Sequence, residues 1–545
     1  MNAIKENYIE YYLRLDDDDI GEINLIGLDG EELIMAQMFN LPKEQGLFKG
    51  INKKNSKIFI NDEELKPFSL WYYFKKSGTY KVKIELNEKI LDLAFLFYKC
   101  IYITKIDLSH LDLSEIHSME GTFETCKKLE EINLGNMITD KLNNLYGTFC
   151  DCNNLKKIKG IENLNTKNVE IMRCFHGCKK LEKLNLQNWN TSSVTNMLFL
   201  FKGCENLTEL NLSGWENTNV KDMHEMFKDC KKLKNLNLKN FKTPKVENME
   251  MMFSNCESLT YLDLSSFNTD HLVNISGMFS SCNNLLNVNL SSFRTENVTD
   301  FSFLFNQCNN LEKLDLNNFK THNVLNMGSM FYGCMKLKNL NLNNFDTSKT
   351  NNMSAMFWDC QNLTELKIDN FNTKNCEKFF LMFSGCKNLQ QINLKNFNTE
   401  NVKLFMYMFK GCESLKELDL SNFNTKKAAI MMNMFEDCIN LEKLDISNFS
   451  CDKVVLIFDL FKNVKKLKEL KIPLAMSQRL IVQDVTVECQ NIVIVNKTPL
   501  TKFVMSKIIY DSNHHFNIVE VNLESDEDKI LFEDQANFDN YTNSY

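Results

Sequence analysis

Residues 256–279 read CESLTYLDLSSFNTDHLVNISGMF. Leu262 and Leu264 lie two apart with Asp263 between them, the alternation of a strand with one buried face. Ser265, Ser266, Asn268, Thr269 and Asp270 are turn formers. Leu272, Ile275, Met278, Phe279 and the next Cys282 follow at steps of 3, 3, 1 and 3, which reads as one face of a short helix. The stretch therefore predicts one strand, one turn and one short helix.

The same unit recurs on both sides. Cysteines stand at 100, 126, 152, 178, 204, 230, 256, 282, 308, 334, 360, 386, 412 and 438, each step being 26 residues without insertion or deletion, and Val464 takes the next place. A phenylalanine lies three residues before each, from Phe97 and Phe123 through to Phe461. One coil buries too little apolar surface to offset the ordering of its own backbone, so the coils must stack and share a core. Stacked strands repeat at about 4.8 Å, while packed helices prefer about 8–10 Å. The mismatch predicts a bend with the strands on the concave side. The expected fold is an α/β curved parallel solenoid with one strand and one short helix per 26-residue coil, about 15 coils, capped at both ends.

The period is absent at the termini. Residues 1–91 are expected to form an α/β capping domain, with strands at Lys57–Ile60 and Thr79–Leu86. The solenoid should span 92–474, followed by a β cap over 475–523 with strands at Val485–Glu488 and Asn491–Val495, and an acidic mobile tail over 524–545.

Composition narrows the function. The chain has 545 residues, 43% hydrophobic and 25% charged, with a formal net charge of −8, so no broad drive toward nucleic acid is expected. The start, MNAIKENYIEYYLRLDDDD, lacks the apolar core of a signal peptide, and no run is long and apolar enough to span a membrane. The 19 cysteines are expected to be reduced thiols in a cytoplasmic protein. Asparagine and lysine are plentiful, a bias attributed as much to codon usage as to physics.

The string MFxxCxxLxxLxLxxFxTxxVxxM, here Met252, Phe253, Cys256, Leu259, Leu262, Leu264, Phe267 and Thr269, resembles the 26-residue repeat of the BspA-like leucine-rich-repeat family. The resemblance implies a leucine-rich-repeat-like solenoid that binds proteins, with adhesion at the cell surface for secreted members. It brings no catalytic residues. Phe267 and its equivalents stand where ordinary leucine-rich repeats carry a buried asparagine, and the threonines at 243, 269, 295, 321 and 347 are expected to supply the loop hydrogen bonds instead.

The cysteine column has no CxxC pair and no histidine at ligand spacing, so it reads as core rather than metal site. Asp16–Asp19 fails the calcium-loop pattern, with Ile20 and Gly27 at ligand positions. His514 and His515 have no partner cluster, and the sequon at Asn206 follows from the repeat consensus. No phosphate loop or nucleophile elbow occurs. Neither enzyme activity, cofactor nor metal is therefore expected. The variable positions flanking each strand leucine are the candidate concave binding face: Lys183, Asn185, Glu209, Asn211, Asn237, Tyr261, Asp263, Asn289, Lys313, Asp315, Asn341, Glu365, Lys367, Glu417 and Asp419. The expected function is a non-catalytic protein–protein interaction scaffold. The alternative is a cell-surface adhesion or antigen protein exported without a recognisable signal.

Overall fold

A computed structural model of the chain describes residues 7–27, 51–450, 452–457, 459–473 and 491–495. The expected strand at Val485–Glu488, the acidic tail and the His514–His515 pair lie outside these residues.

The repeats form a parallel β-solenoid of about 14 turns, where about 15 coils were expected. Most coils contribute a short strand, usually of three residues, in register with a neighbour, as Tyr261, Leu262 and Asp263 pair with Asn287, Val288 and Asn289. The middle residue of each strand enters the core and its flanks face outward, which is the pattern read from Leu262 and Asp263. Inside, the phenylalanine column stacks without a break from Phe97 to Phe461, with ring centroids 5.4–5.9 Å apart.

The expected helix is absent. The segment from Met249 to Cys256 is a run of tight turns, in which Met252 N–H donates to Met249 C=O, Ser254 to Met251 and Cys256 to Phe253. The alternate N–H groups point to the next coil: those of Met249, Met251, Phe253 and Asn255 donate to the carbonyls of Asn274, Ser276, Met278 and Ser280 at 2.7–2.9 Å. Met251 (φ 50°) and Asn255 (φ 59°) are left-handed, a conformation that an α-helix cannot contain. The apolar steps of three came from successive three-residue turns. The α/β assignment is therefore corrected to β. The phenylalanine spacing on this side is also far below that of packed helices, so the mismatch that was to bend the stack is missing.

Two ladders thus join the coils. On the turn side, single parallel bridges run from Asn196 through Asp222, Asn248 and Asn274 to Leu456 without interruption. The strand ladder is intermittent: no pairing joins Lys157–Lys159 to Lys183–Asn185, Asn235 is held only by a single bridge to Glu209, and the ladder breaks before Tyr261, at Lys313–Asp315 and at Gln391–Asn393.

Side chains close the remaining gaps between coils. Thr295 Oγ1 donates to Lys320 C=O and accepts Lys320 N–H, both at 2.8 Å, and Thr269, Thr399 and Thr425 repeat this double contact. The threonine row does take over the loop hydrogen bonds. Asparagines do the same elsewhere, as Asn318 Nδ2 donates to Leu290 and Phe293 carbonyls of the preceding coil. The high asparagine content therefore has a structural use. Each in-register cysteine from Cys126 to Cys438 donates its S–H to the carbonyl of the phenylalanine 29 residues earlier, at 3.0–3.3 Å.

The unbroken cysteine register hides one compensated shift. Residues 160–163 carry a left-handed Gly160 (φ 79°) and a 3-10 turn at Ile161–Asn163. The following bridge joins Ile171 to Asn196, 25 residues apart instead of 26. A residue gained in the loop is thus lost again before Phe175.

At the N-terminus, β1 (Tyr8–Leu15) is followed by β2 (Gly21–Asn24), β3 (Ser56–Ile60), β4 (Glu63–Glu64), β5 (Trp71–Phe74) and β6 (Gly78–Leu86). β3 and β6 are the two strands expected there. β1 pairs antiparallel with β6 on one side and with the first solenoid strand, β7 (Ile103–Asp107), on the other. The first edge of the solenoid is thereby covered. At the far end, Asn491–Val495 pairs parallel with Glu469–Pro473.

Candidate functional site

The fifteen candidate residues all lie on the strand column, on either side of the buried leucines. Twelve are exposed, and Asn211, Asp263 and Asn289 are half-buried. The row that leaves the strand has a local task the sequence did not reveal. Asn185, Asn211, Asn237, Asp263, Asn289, Asp315, Asn341 and Asp419 each accept, through a side-chain oxygen, the N–H two residues on, at 3.0–3.3 Å, as from Ser265 (3.1 Å) and Ser291 (3.2 Å). These are Asx turns that bend the chain out of the strand. The preference for asparagine or aspartate there is explained by the turn. Lys367 is the candidate in this row that cannot make it.

The row that enters the strand is freer. Lys183 pairs with Glu209 at 2.6 Å and Lys443 with Glu417 at 2.5 Å, each pair linking adjacent coils. Lys367 reaches Glu365 at 3.0 Å within one strand. The partner carboxylates raise the pKa of Lys183 and Lys443 through their hydrogen bonds. The side chains of these pairs are 51–65% exposed, so they contribute little to the fold. Tyr261 stands out by 53% of its surface.

Beside Tyr261 the face opens. A cleft of about 600 Å³ is lined by Tyr261, Asn287, Asn289, Lys313, Leu314 and Asp315, among others. Leu314 is only partly buried, whereas Leu262 and Leu340 are 0% and 3% exposed. Lys313 and Asp315 form no ion pair among the described residues.

Other features read from the sequence are occupied structurally. The Asp16–Asp19 acids receive Lys128 Nζ at 2.9 and 2.8 Å, which lowers the Asp19 pKa and ties the N-terminal region to the second coil. Asn206 Nδ2 donates to Lys179 C=O at 2.9 Å. The in-register thiols are buried, and burial pushes them up, to about 12 for Cys282 and Cys438.

One cluster on the turn side was not anticipated. Arg173 lies against the Tyr146 and Phe199 rings and donates to Tyr146 Oη at 2.9 Å. Beside it, Glu225 is 7% exposed. Burial raises its pKa, but Lys202 and Lys228 outweigh this and leave it lowered. The signal in the sequence is the shifted coil, whose Arg173 occupies a position that is left-handed in its neighbours. Among the described residues no group of acidic, cysteine or histidine side chains is placed to hold a metal, and no helix is long and apolar enough to cross a membrane.

Comparison with known proteins gives the array its context. A search of curated proteins finds no match. Among solved structures, a leucine-rich repeat protein from Bacteroides ovatus ATCC 8483 aligns at 17% identity over 78% of this chain and 90% of its own, with a TM-score of 0.37. The Toll–Spatzle complex of Drosophila aligns at 14% identity over 70% of this chain and 57% of its own, with a TM-score of 0.18. The family described as "Mycoplasma protein of unknown function, DUF285" matches at residues 91–174, 143–262, 252–367 and 359–473. These matches tile the whole solenoid, and the chain belongs to that family.

Proposed function

We propose that this chain is a non-catalytic scaffold that binds a protein partner along its strand face. The observation that carries the reading is the division of labour across each strand. The leucine enters the core, the residue after it forms the Asx turn, and the residue before it is left exposed and varies from coil to coil. Lys183, Glu209, Tyr261, Lys313, Glu365 and Glu417 form this row on a rigid support. Rigid placement of varied side chains lowers the entropy lost on binding. A nucleophilic role for the cysteines is disfavoured, because their thiols are buried and hard to ionise. Columns of thiols held on backbone carbonyls also favour a reducing compartment such as the cytoplasm.

The test is a partner captured from native lysate with the full chain, followed by affinity measurement on charge reversals. Glu209→Lys, Lys313→Glu, Glu365→Lys and Glu417→Lys should weaken the purified partner. Unchanged affinity in all of them would remove the strand face from consideration.

A further inference from the structure

We propose that the cleft beside Tyr261 is a binding site for a neutral oligosaccharide. The site does not depend on the protein partner inferred above and takes a different class of ligand on the same face.

Tyr261, Asn287 and Lys313 hold the same place in three successive coils, so they follow one another at about 4.8 Å along the column. Between them the face sinks to Leu314, which is less deeply buried than Leu262 and Leu340. Asn289, Ser291, Asp315 and Asn317 line the side where the chain leaves the strand. The volume is about 600 Å³, within the usual range of small-molecule sites, about 300–1,000 Å³.

The main chain around the cleft is engaged. Glu312 N–H donates to Leu286 C=O at 3.2 Å, and Asn318 Nδ2 donates to the Leu290 and Phe293 carbonyls at 2.9 and 2.7 Å. An occupant is therefore read by side chains. Some of these fix the walls. Asn289 accepts Ser291 N–H and donates to Asp263, and Asp315 Oδ1 accepts Asn317 N–H. The others are open. The side chains of Tyr261, Asn287, Ser291, Lys313 and Asn317 make no hydrogen bond among the described residues, and Asp315 Oδ2 is left as an acceptor.

These open groups select the ligand. Tyr261 is 53% exposed and is the one aromatic residue in its row from Lys183 to Glu469. The face of its ring is negative, and the C–H groups of a pyranose ring carry the partial positive charge that such a face attracts. Around it stand one ammonium, one carboxylate, two amides and a hydroxyl, so donors and acceptors are mixed and the charges cancel. A phosphate would gain Lys313 but face Asp315, and a cation would meet the reverse. A sugar hydroxyl both donates and accepts, so a run of hydroxyls satisfies all of these groups without net charge. Elsewhere on the face the exposed charges close on one another, as at Lys183–Glu209 and Glu417–Lys443. The same chemistry is carried by a free polysaccharide and by the glycan of a glycoprotein.

The full chain is screened on an array of neutral hexose and N-acetylhexosamine oligosaccharides, with sialylated and sulfated ones beside them. The strongest neutral binder is titrated by calorimetry against the unaltered chain and against Tyr261→Ala, Tyr261→Phe, Lys313→Ala and Tyr73→Ala. Tyr73 is 55% exposed on β5 and controls for loss of a surface ring. Tyr261→Ala and Lys313→Ala should each lose about tenfold in affinity. Tyr261→Phe keeps the stacking face and should stay within about fivefold, and Tyr73→Ala should bind as the unaltered chain does. Saturation-transfer nuclear magnetic resonance gives a readout on the unaltered chain, with the strongest transfer expected at the C–H groups of one sugar face.

Glycosidase treatment of a captured protein partner separates the two sources. A partner released by it and also lost with Tyr261→Ala carries the saccharide itself. A partner indifferent to both, while the free oligosaccharide binds, makes the source a free polysaccharide. Either result supports the cleft. Neutral binding unchanged in Tyr261→Ala and Lys313→Ala would overturn it. Binding confined to sialylated or sulfated glycans and abolished by salt would overturn it too, because attraction to a lysine would then suffice. Retention of no oligosaccharide, with a partner still weakened by Glu209→Lys and Glu417→Lys, would overturn the cleft and leave the strand face standing.

Discussion

The Cys282 thiol donates to the Phe253 carbonyl oxygen at 3.1 Å, across the boundary between two coils. That carbonyl already accepts the Cys256 N–H within its own coil. The cysteine column is thus a third line of contacts between coils, made by a small side chain that also fills the core. A serine at this place has the same acceptor within reach. Cys282→Ser and Cys282→Ala should therefore lie within about 1 kcal/mol of each other. Cys282→Leu adds volume to a closed column and should be destabilising by about 1–3 kcal/mol. Urea midpoints of the three variants check this. A serine variant far below the alanine variant would mean that the carbonyl is not available to it.

The thiols also set an upper pH limit. Burial raises their pKa, to about 12 for Cys282 and Cys438, while an unfolded thiol ionises near about 8.5. Between those values the unfolded chain releases protons that the folded chain keeps. The stability is therefore fully present below about pH 8.5 and is lost as pH rises through the window toward about 12. Each thiol contributes a slope of about 1.4 kcal/mol per pH unit, and the column acts together. Cooperative unfolding above about pH 9 is expected, followed by circular dichroism. The triple variant Cys256→Ala, Cys282→Ala and Cys308→Ala should move the midpoint upward. An unmoved midpoint would assign the transition to lysines and tyrosines instead.

Much of this architecture is legible in the residues. Leu262 and Leu264 place the strand, the fixed Phe–Cys spacing gives the stacking period, and Thr269 and Thr295 do bind the loops as their position suggests. The helix reading failed for a physical reason. Steps of three arise equally from one helical face and from consecutive three-residue turns. The residue before the cysteine held the distinguishing signal: Gly203, Asp229, Asn255, Gly333, Asp359 and Gly411 are types that tolerate a left-handed backbone, and all are left-handed. The opening at Lys313 was not legible at all. Lys313, Leu314 and Asp315 look like Tyr261, Leu262 and Asp263 in pattern, and only the stacking of the coils distinguishes them.

The threonine column makes a sharper test of how the loops are held. Thr295 Oγ1 both donates to and accepts from the backbone of Lys320. Thr295→Val preserves shape but leaves that N–H and C=O without their partner, which should be destabilising by about 2 kcal/mol. Thr295→Ser keeps the hydroxyl and should recover most of it. If valine and serine behave alike, the row is held by packing rather than by hydrogen bonds.

The left-handed positions test the corrected fold directly. Asn255 has φ 59° and its N–H donates to Ser280 C=O at 2.7 Å. In the structure this residue turns the chain so that alternate amides face the neighbouring coil. In a helix it would instead donate to the carbonyl four residues back. The two arrangements predict opposite responses to substitution. Both glycine and alanine remove the Asn255 Nδ2 hydrogen bond to Asp229 (2.6 Å), so their difference isolates the backbone. Glycine accepts a left-handed backbone without a steric penalty, so Asn255→Gly should be the more stable of the two, whereas in a helix interior it would be the less stable. Asn255→Ala would be favoured by a helix but here should be less stable than glycine by about 1–2 kcal/mol, the energy of placing a Cβ in the left-handed region. Far-ultraviolet circular dichroism of the intact chain supplies the complementary reading, with no helical double minimum expected from residues 92–474. An alanine variant more stable than the glycine variant, together with a helical spectrum, would restore the helix and remove the turn-side ladder.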